Sequence, residues 1–119
     1  MPASPPVVTP LTDADYHTKT DAVLGGIEAC TDRWLDEDVI DIDTQRNGGL
    51  LELSFPNRSK IIINTQPPLH EIWLAAKAGG YHFCYRDGAW RDTRDGTEFY
   101  ALLAREASAQ AGQALSFSV

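Results

Sequence analysis

Acidic side chains are concentrated at one end of this 119-residue chain. Residues 1–47 hold ten aspartates and glutamates and three basic residues, whereas residues 48–119 hold seven of each, so the whole net charge of −7 lies in the first part. Carboxylates are hard oxygen ligands that suit Fe²⁺, Mn²⁺, Mg²⁺ or Ca²⁺, and they also attract basic protein surfaces. Because they repel phosphates, nucleic acid is not an expected partner.

Many of these acids fall on one side of a predicted helix. Residues 13–35 show the three- and four-residue apolar spacing of an amphipathic helix, which Thr12 or Asp13 can cap. At about 100° per residue, a polar stripe opposes the apolar side. The stripe consists of His17, Asp21, Glu28, Asp32 and Asp36.

The acids continue beyond this helix. The alternation in residues 39–44 predicts a short strand with Ile40 and Ile42 on one face and Asp41 and Asp43 on the other. If this strand follows the helix directly and lies at a sheet edge, the carboxylates of helix, linker and strand form one surface. We call this surface the acidic ridge, and its predicted metal ligands are His17, Asp21, Glu28, Asp32, Asp36, Glu37, Asp38, Asp41 and Asp43.

The acidic ridge lacks the spacing of a dedicated metal cage. It contains neither the Glu-x-x-His pattern of di-iron bundles nor a calcium-loop pattern, so we expect weak binding of several divalent metals. An ordinary solvated helix face is the alternative interpretation. The chain also lacks Gly-x-Ser-x-Gly and a phosphate-binding loop, which favours a binding protein over an enzyme.

A second candidate surface lies in the middle of the chain. Asn64, Gln66, Pro68 and Trp73 are close together across a predicted strand, the turn after it and the next strand. A large aromatic side chain beside amide groups on an open sheet face is typical of a protein-interaction surface. The alternative is that Trp73 belongs to the core.

The rest of the chain shows strands and turns followed by a second helix. After the strand 39–44, the predicted strands are 50–55, 60–65, 70–76, 81–86 and 89–92, with turns that include Gly79-Gly80, and a helix covers 97–111 with Asp95 as its cap. Short connections imply antiparallel pairing. The predicted fold is α+β, a two-layer α/β sandwich in which two terminal helices pack on one face of an antiparallel sheet of about six strands.

Domain organisation and compartment follow from composition. Residues 1–11 contain four prolines and predict a flexible leader, and residues 12–119 form one domain. Cys30 and Cys84 make no Cys-x-x-Cys pair, which favours free thiols in a reducing compartment. No apolar run is long enough to cross a membrane. We therefore expect a cytoplasmic bacterial protein without a membrane partner.

Three segments of the chain form a specific pattern: 47–50 (NGGL), 59–75 (SKIIINTQPPLHEIWLA) and 79–83 (GGYHF). They resemble the frataxin family in its bacterial CyaY branch, within a resemblance that covers residues 13–117. It implies the frataxin fold and a non-enzymatic, iron-binding protein of iron–sulfur cluster assembly. Such a protein acts as iron donor, as iron-dependent regulator of the cysteine desulfurase–scaffold complex, or as both. The chain departs from the bacterial pattern at Ala29 and Arg33, where relatives carry acids.

The resemblance also implies roles for the two candidate surfaces. The acidic ridge is expected to bind Fe²⁺ and Fe³⁺ weakly and to dock on a basic surface of the desulfurase through Asp32, Asp36 and Asp41. The surface around Trp73 resembles the one that meets the desulfurase–scaffold complex. We expect a monomer that oligomerises when iron is in excess.

Three other functions stay open. One is ferroxidase or iron-storage activity, although the scattered ligands argue against an organised redox site. Another is a protein-interaction module whose acids bind a basic partner without any specific metal. The third is haem binding, with His17 and Cys30 as candidate ligands.

Overall fold

The chain folds as a helix, six strands and a second helix, and the structure, a computed structural model, describes residues 8–117. The strands form one antiparallel sheet, and each strand pairs with its neighbours along the chain. Both helices contribute to one core beneath the sheet, which confirms the predicted α+β sandwich. The elements are α1 (Asp13–Asp36), β1 (Asp43–Asn47), β2 (Leu50–Ser54), β3 (Lys60–Gln66), β4 (Glu71–Ala76), β5 (Gly79–Arg86), β6 (Ala89–Asp92) and α2 (Phe99–Ala111).

Alternation along the strands divides the sheet into a helix face and an open face. In β2, Leu51 and Leu53 are fully buried, whereas the residues between and beside them are not. Each buried aliphatic or aromatic side chain stabilises the fold by about 1.5–3 kcal/mol through the hydrophobic effect. The helix face and the two helices together bury Val23, Leu24, Ile27, Leu51, Leu53, Ile61, Ile63, Ile72, Leu74, Phe83, Trp90, Phe99, Leu102 and Leu103.

The first turn of α1 is held against the sheet by the Tyr16 hydroxyl. It donates a hydrogen bond to the carbonyl of Glu71 at 2.6 Å and accepts one from the backbone N–H of Gln66 at 3.0 Å. Burial raises the pKa of this phenol. The His70 ring stacks on the Tyr16 ring at 4.8 Å, and its Nε2 lies 2.7 Å from Oδ1 of Asp13. These contacts join α1 to the corner between β3 and β4.

The predicted strand at residues 39–44 is wrong, because β1 begins only at Asp43. Just after α1 ends, Asp38 adopts a left-handed backbone conformation with a φ of 55°. The N–H of Val39 then donates a hydrogen bond to the carbonyl of Trp34, which closes the end of the helix. Ile42 then enters the core at 6% exposure. The alternation in the sequence came from this core-packed connection, whereas β1 is an edge strand that buries little and gives a weak pattern.

The predicted turn before β5 and the predicted cap of α2 also need correction. Gly79-Gly80 lies within β5, and the chain reverses two residues earlier, at Lys77-Ala78, because Ala76 pairs with Gly79. The cap of α2 is Glu98 rather than Asp95, since the Glu98 carboxylate accepts from the N–H groups of Tyr100 and Ala101. The predicted hairpin between β1 and β2 is confirmed, because Asn47 pairs with Leu50 and Gly48 has a φ of 60°.

The chain is attached to the sheet before α1 begins. Thr9 N–H donates to the carbonyl of Tyr85 at 2.9 Å, and Leu11 packs against the core. Of the predicted leader, residues 1–11, the part from 1 to 7 lies outside the described residues. At the other end Leu115 is buried. Within residues 8–117 neither helix has the length and apolar character that a membrane crossing requires.

Replacing Tyr16 with Phe tests the attachment of α1. The change removes one donor and one acceptor and leaves the part-buried Gln66 N–H without its partner, so we expect a loss of about 1–3 kcal/mol in the free energy of unfolding. Urea denaturation measures the loss. The matched control is Tyr85→Phe, which removes a hydroxyl without a hydrogen bond among the described residues. Equal effects of the two changes would contradict this role for the Tyr16 hydroxyl.

Both thiols should be protected in the folded protein. Cys30 is 1% exposed and Cys84 is 5% exposed, and burial raises the pKa of the Cys84 thiol, which lowers the thiolate fraction. We expect an aromatic disulfide reagent at pH 8 to modify neither thiol within minutes and to modify both after unfolding in guanidinium. Fast modification of the native protein would contradict the observed burial.

Candidate metal and partner surfaces

The acidic ridge lies along the exposed side of α1 and the connection to β1. Eight of its nine predicted residues are exposed, and the ninth, Glu28, is half-buried. α1 lies next to β1, and β1 forms an edge of the sheet. The helix, the connection and the start of the edge strand therefore present their carboxylates to solvent.

The ridge is not a cage for one ion. Within residues 8–117, no three His, Cys, Asp or Glu side chains lie close enough together to hold a single metal. Asp43 pairs with Ser54 on the open face of the sheet, away from the stripe of α1, and Asp41 lies in the connection before β1. The structure therefore shows separate carboxylates over a long surface rather than one cluster of ligands.

A basic residue that sequence analysis missed lies in the middle of the ridge. Arg46 Nη1 is 2.8 Å from Oε1 of Glu28, and its Nη2 is 3.2 Å from Oδ1 of Asp21. Arg46 pairs with the core residue Leu51 across the hairpin, so its side chain lies on the helix face and points at α1. Because the predicted strand ended at residue 44, the sequence pattern did not place Arg46 in a strand beside α1.

The two candidate haem ligands lie in different environments. His17 is exposed on the stripe, and its ring makes an edge contact with the Tyr16 ring at 5.6 Å. Cys30 is buried on the apolar side of α1, where Nη2 of Arg33 donates to its Sγ at 3.6 Å. Cys30 therefore presents no sulfur to an external ligand.

The second surface is an aromatic stack on the open face of the sheet. Trp73 is half-buried, so the alternative that it belongs to the core is wrong. Its ring lies 4.1 Å from the ring of His82 at an angle of 6°, and its Nε1 donates to Oε1 of Glu71 at 2.8 Å. The stack borders a depression of about 220 Å³ that Ile62 and Asn64 also line.

Register explains which residues form this surface. Asn64 pairs with Trp73 between β3 and β4, and Trp73 pairs with His82 between β4 and β5. Gln66 and Pro68 lie farther along the same corner, at the end of β3 and in a short 3-10 turn. Sequence analysis missed Glu71 and His82. His82 could be recognised from its position opposite Trp73, but only once the turn between β4 and β5 is placed at Lys77-Ala78.

The chain is similar to known proteins along nearly its full length. A family model described as Frataxin-like domain matches residues 9–113. This chain is also similar to bacterial proteins called iron-sulfur cluster assembly protein CyaY. The one from Burkholderia mallei (strain SAVP1) is 53% identical over 108 residues, which cover 91% of this chain and 99% of the relative. The one from Paraburkholderia xenovorans (strain LB400) is 52% identical over 107 residues, covering 90% and 98%.

Solved structures give the same result. Frataxin from Psychromonas ingrahamii superposes with a TM-score of 0.79 at 35% identity, covering 92% of this chain and 100% of that structure. Trimeric yeast frataxin complexed with ferrous iron gives a TM-score of 0.61 at 28% identity, covering 91% and 93%. Since the family model and the bacterial relatives span most of the residues, this chain belongs to the frataxin family.

Proposed function

We propose that the protein binds iron weakly at the acidic ridge and serves iron–sulfur cluster assembly. In this proposal it is an iron donor, an iron-dependent regulator of a cysteine desulfurase–scaffold complex, or both. The observation that carries the proposal is the row of exposed carboxylates in a member of the frataxin family. The relatives called iron-sulfur cluster assembly proteins and the ferrous complex of a yeast homologue support it.

The position of the acids along α1 supports a cation-binding role. Asp32 and Asp36 lie near the C-terminal end of the helix, where the helix dipole is already negative. A carboxylate there destabilises its own helix by about 0.3–1 kcal/mol. A metal ion or a basic partner removes this repulsion, so the protein gains stability when the ridge is occupied.

The separation of the ligands supports a carrier or regulator over a ferroxidase. Oxidation of Fe²⁺ needs an organised metal centre, and residues 8–117 hold no group of three candidate ligands around one point. An exposed carboxylate surface instead binds a hydrated ion weakly and releases it to another site. We therefore propose a non-enzymatic role, in which Mn²⁺ or Co²⁺ can replace iron.

The two surfaces suit two contacts with one complex. We propose that the acidic ridge docks on a basic surface of the desulfurase, because exposed acids accelerate association with a basic partner. The Trp73 surface would meet the complex as well, since a half-buried tryptophan beside a depression is a typical interface anchor. Asn64, Gln66 and Pro68 belong to this second contact.

Location and oligomeric state belong to the same proposal. Cys30 and Cys84 are free thiols, as expected for a reducing compartment such as the bacterial cytoplasm. The net charge of −7 disfavours self-association, because like charges repel. We propose a monomer whose copies associate when excess iron neutralises the ridge.

The ridge proposal is tested by replacing Asp32, Asp36 and Asp41 together with Asn. If each exposed charge interaction contributes about 0.5 kcal/mol, Fe²⁺ binding weakens by about tenfold. Docking on the desulfurase should weaken and lose most of its salt dependence. The metal-free variant should unfold at a higher urea concentration, because the repulsion at the end of α1 is relieved. Anaerobic calorimetry, desulfurase binding at two salt concentrations and urea denaturation measure these effects.

The matched control carries Asp15→Asn, Asp87→Asn and Asp95→Asn, which change the net charge equally outside the ridge. We expect its Fe²⁺ and desulfurase affinities to stay within about twofold of the unsubstituted protein, because distant exposed charges are screened by salt. If the ridge variant still docks on the desulfurase with unchanged affinity and salt dependence, the ridge proposal is contradicted.

Replacing Trp73 with Ala tests the second contact. Truncation of a central interface tryptophan typically removes about 2 kcal/mol or more of binding energy, so we expect affinity for the desulfurase–scaffold complex to fall by about 30-fold. Trp73→Phe keeps a stacking ring for His82 and should lose less. Fe²⁺ binding by the same variants is the internal control, and a large change in it would show that the two surfaces are not separate.

A further inference from the structure

Arg46 places a permanent positive charge inside the acidic ridge. Its guanidinium bridges Asp21 and Glu28 at 3.2 and 2.8 Å. The two acids are seven residues apart on α1, or ~10.5 Å along the helix axis. The two side chains lean towards each other across this distance, so that one guanidinium contacts both carboxylates. The planar fork of an arginine reaches both with different nitrogens.

The bridge is held in place by the fold. Arg46 pairs with the core residue Leu51, and this register directs its side chain towards α1. The side chains of Arg46 and Glu28 are only 30% and 31% exposed, whereas Asp21 is 74% exposed. A tethered group at fixed register has a high effective concentration at its partners. A free cation must therefore compete with an internal one for these two acids.

We propose that Arg46 is a specificity-determining residue of the ridge. It occupies Asp21 and Glu28 and confines bound metal ions and basic partner groups to the other end of the ridge. That end comprises Asp32, Asp36, Glu37, Asp38 and Asp41. The inference depends on the proposed function of the ridge as a cation-binding surface, and it adds which part of the surface takes the cation.

The experiment is an amide NMR titration with Co²⁺ alone, which broadens signals close to the metal. The variant is Arg46→Gln, which keeps a polar side chain of similar shape and removes the charge. In the unsubstituted protein, broadening should centre on residues 32–41. In Arg46→Gln it should extend to Asp21 and Glu28, and total Co²⁺ affinity should rise about two- to fivefold, the range expected for release of such an ion pair.

Two further variants make the result specific. Lys60→Gln removes one positive charge from an ion pair with Glu52 on the open face, so it changes net charge equally and should leave the broadened region unchanged. Arg46→Lys keeps a cation at the position but lacks the fork that reaches both acids, so its broadening should be intermediate between that of the unsubstituted protein and that of Arg46→Gln. The dispersion of each metal-free spectrum shows whether the variant is folded.

The possible failures can be told apart. Equal broadening of Asp21 and Glu28 in the unsubstituted protein and in Arg46→Gln overturns the role of Arg46 while the ridge proposal stands. The same spread in Lys60→Gln overturns it as well, because net charge alone would then explain the effect. An absence of broadening along the ridge in every protein overturns the proposed function, and the inference with it.

Discussion

The packing of α1 across the sheet is the constraint on which both candidate surfaces depend. The Tyr16 hydroxyl bonds to the backbone of Gln66 and Glu71, so the first turn of the helix is fixed at the corner between β3 and β4. From that point the apolar side of α1 follows the core, and its polar side must face solvent beside the edge strand β1. The same hydrogen bonds fix the backbone next to Trp73, because Glu71 is two residues before it.

Placing both helices on one face leaves the other sheet face open. On a half-covered antiparallel sheet, alternate residues of each strand face solvent. On this sheet the cross-strand row places Asn64, Trp73 and His82 side by side. The ring stack and the Glu71 carboxylate then hold the indole in one orientation. A rigid, partly exposed aromatic loses little conformational entropy when a partner covers it, which makes this surface suitable for recognition.

The electrostatics of the ridge acts against folding. Acids near the end of α1 oppose the helix dipole, and their mutual repulsion lowers the stability of the unoccupied protein. Arg46 relieves part of this repulsion from within, at Asp21 and Glu28. The C-terminal part of the helix and the connection after it keep more uncompensated charge, and an external cation can provide the compensation there. The two parts of the ridge thus differ in how far the fold itself compensates their charge, although their acids look alike in the sequence.

Periodicity in the sequence by itself determined the two helices, the number of strands, their antiparallel order and the polar stripe of α1, because burial on one side leaves a regular apolar pattern. The sequence also indicated the family, through the resemblance of the segment around Asn64 and Trp73 to frataxins. The start of β1 was decided only in the tertiary structure, since the core-packed connection at Ile42 gives a stronger alternation than the exposed edge strand. The Arg46 bridge, the Trp73–His82 stack and the Tyr16 hydrogen bonds likewise needed the fold. Each joins residues whose distance depends on strand register and helix docking, and no local pattern encodes these.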